Sequence, residues 1–442
     1  MIIFRSLKRL FGEHRTQWSS ERAFVYATIA AAVGLGNIWR FPYLAGENGG
    51  AAFVIAYLIA VFFLGLPLMM IELSAGRIER GSPVRTFRRI FRPAGWFGWL
   101  VVGLTLLIMS YYLVVTGWTL AYAIGSSSSN GVKPFSEFLS GYDSLYYFMI
   151  VAGLTALIVR IGIRAIELLS RLMMPFLAIV VLSITLYSLT LPGAGQAVMF
   201  LFNPDFAAFA SPSLWLIAFG QAFYSLAVGQ GYLITYGSFL PAKTKIPRAT
   251  IFVALVETSF AIIAGLMIFP LVFTVGIDPA EGTRLAFEAL PHAFSFISYG
   301  SLLAILFFWL FFLAAFSSCV AGMEVVKTAF KEEWRISSQH ATFISFLLIF
   351  PLGTLAALSF SPLKLTLAGR PFLEVLDLFA ANQIVVVCAL VGGAIITWLL
   401  PRATLVDNLG TEWKSSAWWT ITVIRYLPIA ALILSLLTWF VD

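Results

Sequence analysis

Apolar stretches of roughly 20 residues follow one another along this 442-residue chain, separated by short polar connections. A stretch of that length spans the hydrocarbon of a bilayer as a helix. In lipid each backbone N–H and C=O must be satisfied within the segment, which leaves helices as the economical reading of such runs. The composition agrees: 60% of the residues are hydrophobic and 11% charged, against about 25% charged in soluble domains. The sequence therefore predicts one all-α integral membrane unit with no soluble domain attached.

Eleven spans are predicted, near 23–44, 50–76, 97–124, 144–160, 166–190, 213–240, 249–276, 297–330, 341–360, 373–400 and 418–441. The fourth is short and merges easily with the fifth. The basic residues test this count. Arg5, Lys8, Arg9, Arg15 and Arg22 lie on the N-terminal tail, and Arg77, Arg80, Arg85, Arg88, Arg89 and Arg92 on the second-to-third connection. Arg160, Arg164 and Arg171, then Lys243, Lys245 and Arg248, then Lys327, Lys331 and Arg335, then Arg402 and Lys414 follow at alternate connections. The opposite side has only Lys133, Arg284, Lys364 and Arg370. The positive-inside rule then expects a multi-pass protein of the cell membrane, N-terminus cytoplasmic and C-terminus outside. The net charge of +7 is explained by this asymmetry, so no nucleic-acid partner is expected. Residues 1–22 are basic and polar, without the pattern of a signal peptide. The other expected units are a first five-helix repeat over 23–190, a second over 213–400, and an eleventh helix over 418–441.

Cys319 and Cys388 both fall in apolar stretches and read as buried small hydrophobes. His14, His292 and His340 are scattered. No catalytic or transition-metal cluster emerges, so the chain does not read as an enzyme, and no organic cofactor is expected.

Two spans are interrupted near their middle. The first reads Ala30-Ala31-Ala32-Val33-Gly34-Leu35-Gly36-Asn37-Ile38-Trp39-Arg40, and the sixth Gln221-Ala222-Phe223-Tyr224-Ser225-Leu226-Ala227-Val228-Gly229-Gln230-Gly231. Each holds a Gly-x-Gly, and a glycine costs a helix about 1 kcal/mol. Such glycines also serve close helix packing, but Asn37, Ser225 and Gln230 stand beside them and Arg40 just beyond. Polar groups inside a membrane are costly and read as functional. Broken helices at matching positions of two five-span halves point to an inverted five-plus-five repeat with a central site.

The first break, continued through Phe41-Pro42-Tyr43 and Glu47-Asn48-Gly49-Gly50-Ala51-Ala52-Phe53, resembles the first-helix signature of the neurotransmitter:sodium symporters. Pro67-Leu68-Met69-Met70-Ile71-Glu72 with Gly76-Arg77, Ala289-Leu290-Pro291 and Ala314-Ala315-Phe316-Ser317-Ser318 resemble further family segments. The likeness runs from about Arg15 to the tenth span, and eleven spans fit a bacterial variant of the family. It implies two sodium ions. One would take carbonyls of Ala30, Val33 and Ala314 with the hydroxyls of Ser317 and Ser318. The other would take the Ala32 carbonyl, Asn37, Ser225, the substrate carboxylate and, in this chain, Glu257. It also implies a substrate site at Ala32, Gly34, Leu35, Gly36, Ile108, Tyr112, Tyr224, Ser225, Ala227, Gln230, Ser318 and Gly322. The Leu35 and Gly36 amides and the Tyr112 hydroxyl would hold the carboxylate. Arg40 with Asp377 would form an external gate, and Arg15 with Glu332 an internal one near Trp18.

Four positions depart from the family pattern. Glu257 stands where Asn or Asp is usual and supplies a fixed charge, so chloride-independence is expected. Ala227 replaces a common serine, Gln230 an aromatic, and Gly322 a branched side chain. Less bulk at Gly322 and an added amide at Gln230 suggest a bulky substrate, aromatic or long and polar; the alternative is that neighbouring side chains collapse into the gap or an ordered water satisfies Gln230.

The expectation is sodium-coupled symport of an amino acid by alternating access. Alternatives are a proton-coupled or sodium-independent carrier of the same fold with Glu257 titrating, or a non-transporting membrane sensor. No filter repeat suggests a channel. Partners are expected to be the amino acid and membrane lipid, with the chain a monomer or weak homodimer.

Overall fold

The computed structural model describes residues 17–128, 131–241, 243–280, 282–410 and 417–426. Among them the chain is helical almost throughout, with one two-residue hairpin pairing Thr366–Leu367 with Arg370–Pro371. Among the described residues eight helices are long and apolar enough to cross a membrane, or nine if the bent pair Glu21–Ala32 and Gly36–Glu47 is one span. We label the elements α1 (Glu21–Ala32), α2 (Gly36–Glu47), α3 (Ala51–Glu79), α4 (Gly95–Ser126), α5 (Asp143–Ile161) and α6 (Ile163–Ser188). They continue as α7 (Pro212–Ser225), α8 (Tyr232–Gly237), α9 (Ile246–Thr274), α10 (Gly300–Trp334), α11 (Ser338–Ala357) and α12 (Phe372–Leu399). The ends differ from the predicted spans by a few residues. The predicted fourth and fifth spans are separate helices because Gly162, at φ 101°, turns the chain between them. Of the predicted eleventh span, residues 417–426 are described and are helical.

Local chemistry sets several helix ends. The Ser20 side chain accepts from the Ala23 amide at the start of α1, and Ser337 does the same for His340 at the start of α11. The first predicted break is real: α1 ends at Val33, whose φ −78° and ψ 103° are extended, and α2 leaves at 45°. The sixth span is interrupted between Ser225 and Tyr232, where Ala227, Gly229 and Gly231 all have positive φ.

The long helices α4 and α10 pack along each other through the middle of the molecule. The break in the first span lies between α10 and α9, and α7 lies against α3. At one end, Phe287 inserts among Trp118, Tyr122 and Phe135 with ring centroids 5.0–5.7 Å apart, which seats the segment carrying Ala289-Leu290-Pro291. Cys319 and Cys388 are both buried free thiols.

Candidate binding site at the two helix breaks

In an unbroken helix the Ala30 carbonyl would accept from the Gly34 amide. Here that amide turns to the Asn37 side-chain oxygen at 3.3 Å. The released Ala30 carbonyl accepts instead from the Ser317 hydroxyl of α10 at 2.6 Å, and that hydroxyl also meets the Ala314 carbonyl at 2.8 Å. Ser318 Oγ beside it is buried without a hydrogen-bond partner among the described residues. A Cβ at Gly34 would collide with Ser318 Oγ and the Tyr112 hydroxyl, so only glycine lets α4 and α10 approach the break. The donors gathered here are carbonyls and hydroxyls, the set a hard monovalent cation takes at a broken helix. An orphaned hydroxyl among them fits an ion-binding role, since a buried unpartnered hydroxyl is otherwise costly. No group of three His, Cys, Asp or Glu that could hold a metal occurs among the described residues.

A second node lies where α2 begins. The Asn37 side-chain amide donates to the Glu257 carboxylate at 2.7 Å and to the Glu257 main-chain oxygen at 3.1 Å. The Tyr57 hydroxyl of α3 reaches both carboxylate oxygens at 3.3 Å and the Ser225 hydroxyl at 3.3 Å. Thr258 Oγ1 adds a contact of 3.3 Å. Glu257 is fully buried, and every neighbour just named is a donor or hydroxyl. The α1–α2 break, the end of α7 and α9 thus meet at one carboxylate.

Between these nodes the Leu35 amide donates to the Tyr112 hydroxyl at 2.9 Å, joining two groups expected on a substrate carboxylate. Tyr224 covers the space on one side. Its hydroxyl lies 3.3 Å from that of Tyr111, and the Arg40 guanidinium sits 5.0 Å above its ring. Arg40 Nε is 4.0 Å from Asp377, so the structure brings together the expected external pair. Gln221 ties this cover to the break: its oxygen accepts from Arg40 at 2.7 Å and its amide donates to the Gly36 carbonyl at 2.7 Å. On the other side Trp18 is buried, its indole donating to the Tyr236 carbonyl and its amide to the Phe239 carbonyl, both at 3.1 Å. Glu332 accepts from the Ser82 amide at 2.8 Å; its expected partner Arg15 lies outside the described residues. Tyr224 and Arg40 are thus buried on one side of the breaks and Trp18 on the other.

Two expectations require correction. Gln230 was expected to offer its amide to the substrate, but Nε2 donates to the Phe223 and Tyr224 carbonyls at 3.3 and 3.1 Å. Those last-turn carbonyls of α7 already accept from the Val228 and Ala227 amides at 2.9 and 3.2 Å, and Gln230 adds a second donor to each. Gly322 was expected to widen the site, but a Cβ there would collide with Met109 Sδ and the Tyr232 hydroxyl. These side chains fill the space the glycine leaves. Ile108 is buried on α4 and Ala227 sits in the second break at φ 56°. Sequence reasoning missed Gln221, Tyr57 and Tyr111 as site residues. It also missed the role of Glu72, whose carboxylate takes the Gly229 amide at 2.8 Å and holds the second break from α3. Each is a polar group within an apolar stretch, and that was the available signal.

Comparison with known proteins places this geometry. The profile of the sodium:neurotransmitter symporter family matches residues 15–134 and 142–441. An uncharacterized sodium-dependent transporter of Methanocaldococcus jannaschii is 33% identical over 92% of this chain and 86% of its own length. The uncharacterized sodium-dependent transporter YhdH of Bacillus subtilis is 32% identical over 89% and 90%. The sodium- and chloride-dependent GABA transporter 2 of Rattus norvegicus is 25% identical over 89% of this chain and 75% of its own. Among solved structures, the crystal structure of MhsT in complex with L-phenylalanine superposes with a TM-score of 0.89 at 34% identity, covering 96% of this chain and 99% of that one. The relatives are transporters, not enzymes, and this multi-pass membrane protein belongs to the sodium:neurotransmitter symporter family.

Proposed function

We propose that this chain is a sodium-coupled symporter of an amino acid working by alternating access, across the cell membrane with its N-terminus cytoplasmic. The observation that carries this reading is the pairing of the released Ala30 carbonyl with Ser317 beside the orphaned Ser318 hydroxyl, an oxygen-only set at a helix break. One sodium ion is read there, with Val33 and Ala314 contributing carbonyls. A second is read at Asn37, the Ala32 carbonyl and Ser225, next to Glu257. The carboxylate of the amino acid would displace the Tyr112 hydroxyl from the Leu35 amide and accept from both. Because that carboxylate also faces the second ion, ion and substrate raise each other's affinity, which is the coupling symport requires. Closure under Tyr224 and Arg40 on one side, and Trp18 on the other, suits the occluded step of such a cycle. Eleven spans in an inverted five-plus-five repeat, a monomer or weak homodimer, and no organic cofactor complete the reading.

For the substrate, we favour a bulky aromatic or otherwise apolar amino acid. MhsT, similar over nearly its whole length, is solved with L-phenylalanine, and Gln230 Nε2 donates to the backbone, which weakens the argument for a polar side chain. The test is uptake into proteoliposomes. Labelled phenylalanine should accumulate when an inward sodium gradient is imposed and stay near equilibrium under an equal potassium gradient. Equal accumulation under both would end the sodium reading. Competition by glycine and alanine but not by phenylalanine or tryptophan would end the bulky-substrate reading.

A further inference from the structure

Outside the central site, a groove of about 850 Å³ opens between α1 and α9. Its walls are Val25 and Tyr26 on α1 and Ile251, Phe252 and Leu255 on α9, with Tyr26, Phe252 and Leu255 exposed by 40%, 53% and 48%. Its rim is different in kind. Arg22 and Arg248 line it there together with Lys245, which also has a partner of its own, and Glu21 is the one acidic residue of the described lining. Both helices start at this rim, so the cations lie at the head-group level of the spans and the apolar walls run inward from them. Ile251 also lines a second groove of about 350 Å³, bounded by Phe62, Phe63 and Leu66 of α3 and by Trp419. Ile251 is thus shared by two adjoining apolar grooves, of which the first carries the basic rim.

We propose that this groove is a specific site for an acidic glycerophospholipid. Its phosphate would sit among Arg22, Lys245 and Arg248, and its acyl chains along the two grooves beside Ile251. The charge argues for the occupant: basic pockets between transmembrane helices recognise anionic head groups, at about 1 kcal/mol per cation near the surface. A zwitterionic lipid would fill the grooves without engaging the rim. The site has a mechanical consequence. Helix α1 is the first half of the broken span, held at its start by the Ser19 amide on Glu167 of α6 at 2.6 Å. A lipid seated across Arg22 and Arg248 ties α1 to α9 as well, and so favours the closed inner side.

The test compares the purified full chain in detergent with added phosphatidylglycerol or phosphatidylcholine of the same acyl composition, reading the thermal unfolding midpoint and the lipids retained in native mass spectrometry. Phosphatidylglycerol is expected to raise the midpoint and remain bound; phosphatidylcholine should do so much less. Arg22→Gln with Arg248→Gln should weaken the phosphatidylglycerol response about 30-fold in concentration, as loss of two such contacts implies. Arg92→Gln, an exposed arginine on another connection, should respond as the wild type does, and Glu21→Gln should respond at lower lipid. Equal responses to the two lipids would overturn the proposal, as would a double variant indistinguishable from wild type. So would inorganic phosphate alone reproducing the shift, which would make this an anion site without bound chains.

Discussion

The side-chain amide of Asn37 donates at once to the carboxylate and to the main-chain oxygen of Glu257, at 2.7 and 3.1 Å. One residue at the break of the first span is thereby fixed to a buried acid on α9, and the same acid gathers Tyr57 and Thr258. A fixed carboxylate beside a proposed cation site does what a bound anion would otherwise do: it balances the ion's charge in a medium of low dielectric.

Chloride follows directly. Replacing chloride with gluconate is expected to leave the wild-type uptake rate unchanged. Glu257→Gln keeps the shape and removes the charge, so uptake should fall at least ~10-fold in gluconate, the equivalent of about 1.4 kcal/mol, and recover partly when chloride is restored. A wild-type rate climbing steeply with chloride would refute this account of Glu257.

Sodium affinity should depend on the unpartnered hydroxyl of Ser318. Losing one oxygen ligand of an ion is worth about as much as a charge-assisted hydrogen bond, ~1.5–3 kcal/mol. Ser318→Ala is therefore expected to raise the half-saturating sodium concentration by at least ~10-fold and to abolish most concentrative uptake. Ser74 on α3 is also buried without a partner among the described residues, and it is not among the expected sodium ligands. Ser74→Ala should leave sodium dependence where it was. If the two variants behave alike, Ser318 is merely packed.

Gln221 links cover and break, so its substitutions should separate transport from ion binding. Gln221→Leu removes the acceptor that Arg40 uses at 2.7 Å and the donor that the Gly36 carbonyl uses at 2.7 Å. Each buried group left unmatched costs about 1–3 kcal/mol. Uptake is expected to slow at least ~10-fold, while stabilisation by sodium in a thermal-shift assay persists. Gln221→Glu keeps an acceptor for Arg40 and should recover part of the rate. Loss of the sodium response in Gln221→Leu would show that the residue supports the ion sites as well.

Much of this was legible in the sequence because lipid removes alternatives. A 20-residue apolar run has few structures open to it, so helix limits matched within a few residues, and Gly-x-Gly beside Asn37 marked the first break. The second break was visible as Gly229 and Gly231, although Ala227 at φ 56° gave no local sign of its left-handed backbone. The contacts were harder to read. Asn37 stood out because it interrupts a glycine pattern, whereas Tyr57 and Gln221 look like single polar residues in packed helices. Gln230 and Gly322 were misread because their neighbours decide what they do. Gln230 turns back to carbonyls seven and six residues before it only because the chain between them is not helical, and Met109 lies more than 200 positions from Gly322 in the chain.

That last pair gives the sharpest test of packing against sequence inference. If Gly322 bordered an open substrate pocket, Gly322→Ile would shrink the pocket and shift preference toward small amino acids with the fold intact. In the structure a Cβ at this position collides with Met109 Sδ and the Tyr232 hydroxyl, and lies 3.0 Å from Met109 Cγ. Tyr232 and Met109 already touch, hydroxyl to sulfur, at 3.7 Å. Overpacking of this kind costs about 1–3 kcal/mol, so Gly322→Ile is expected to lower the thermal midpoint and the yield of folded protein. Gly322→Ala should do so less, because methionine is flexible enough to yield to one methyl group. Combining Gly322→Ala with Met109→Ala should restore part of the loss, since the second change removes the methionine atoms the first one meets and leaves the Tyr232 hydroxyl. Thermal unfolding of the three variants, alongside a competition panel, separates the two accounts. A fully stable Gly322→Ile that prefers alanine to phenylalanine would mean that the space belongs to the substrate after all.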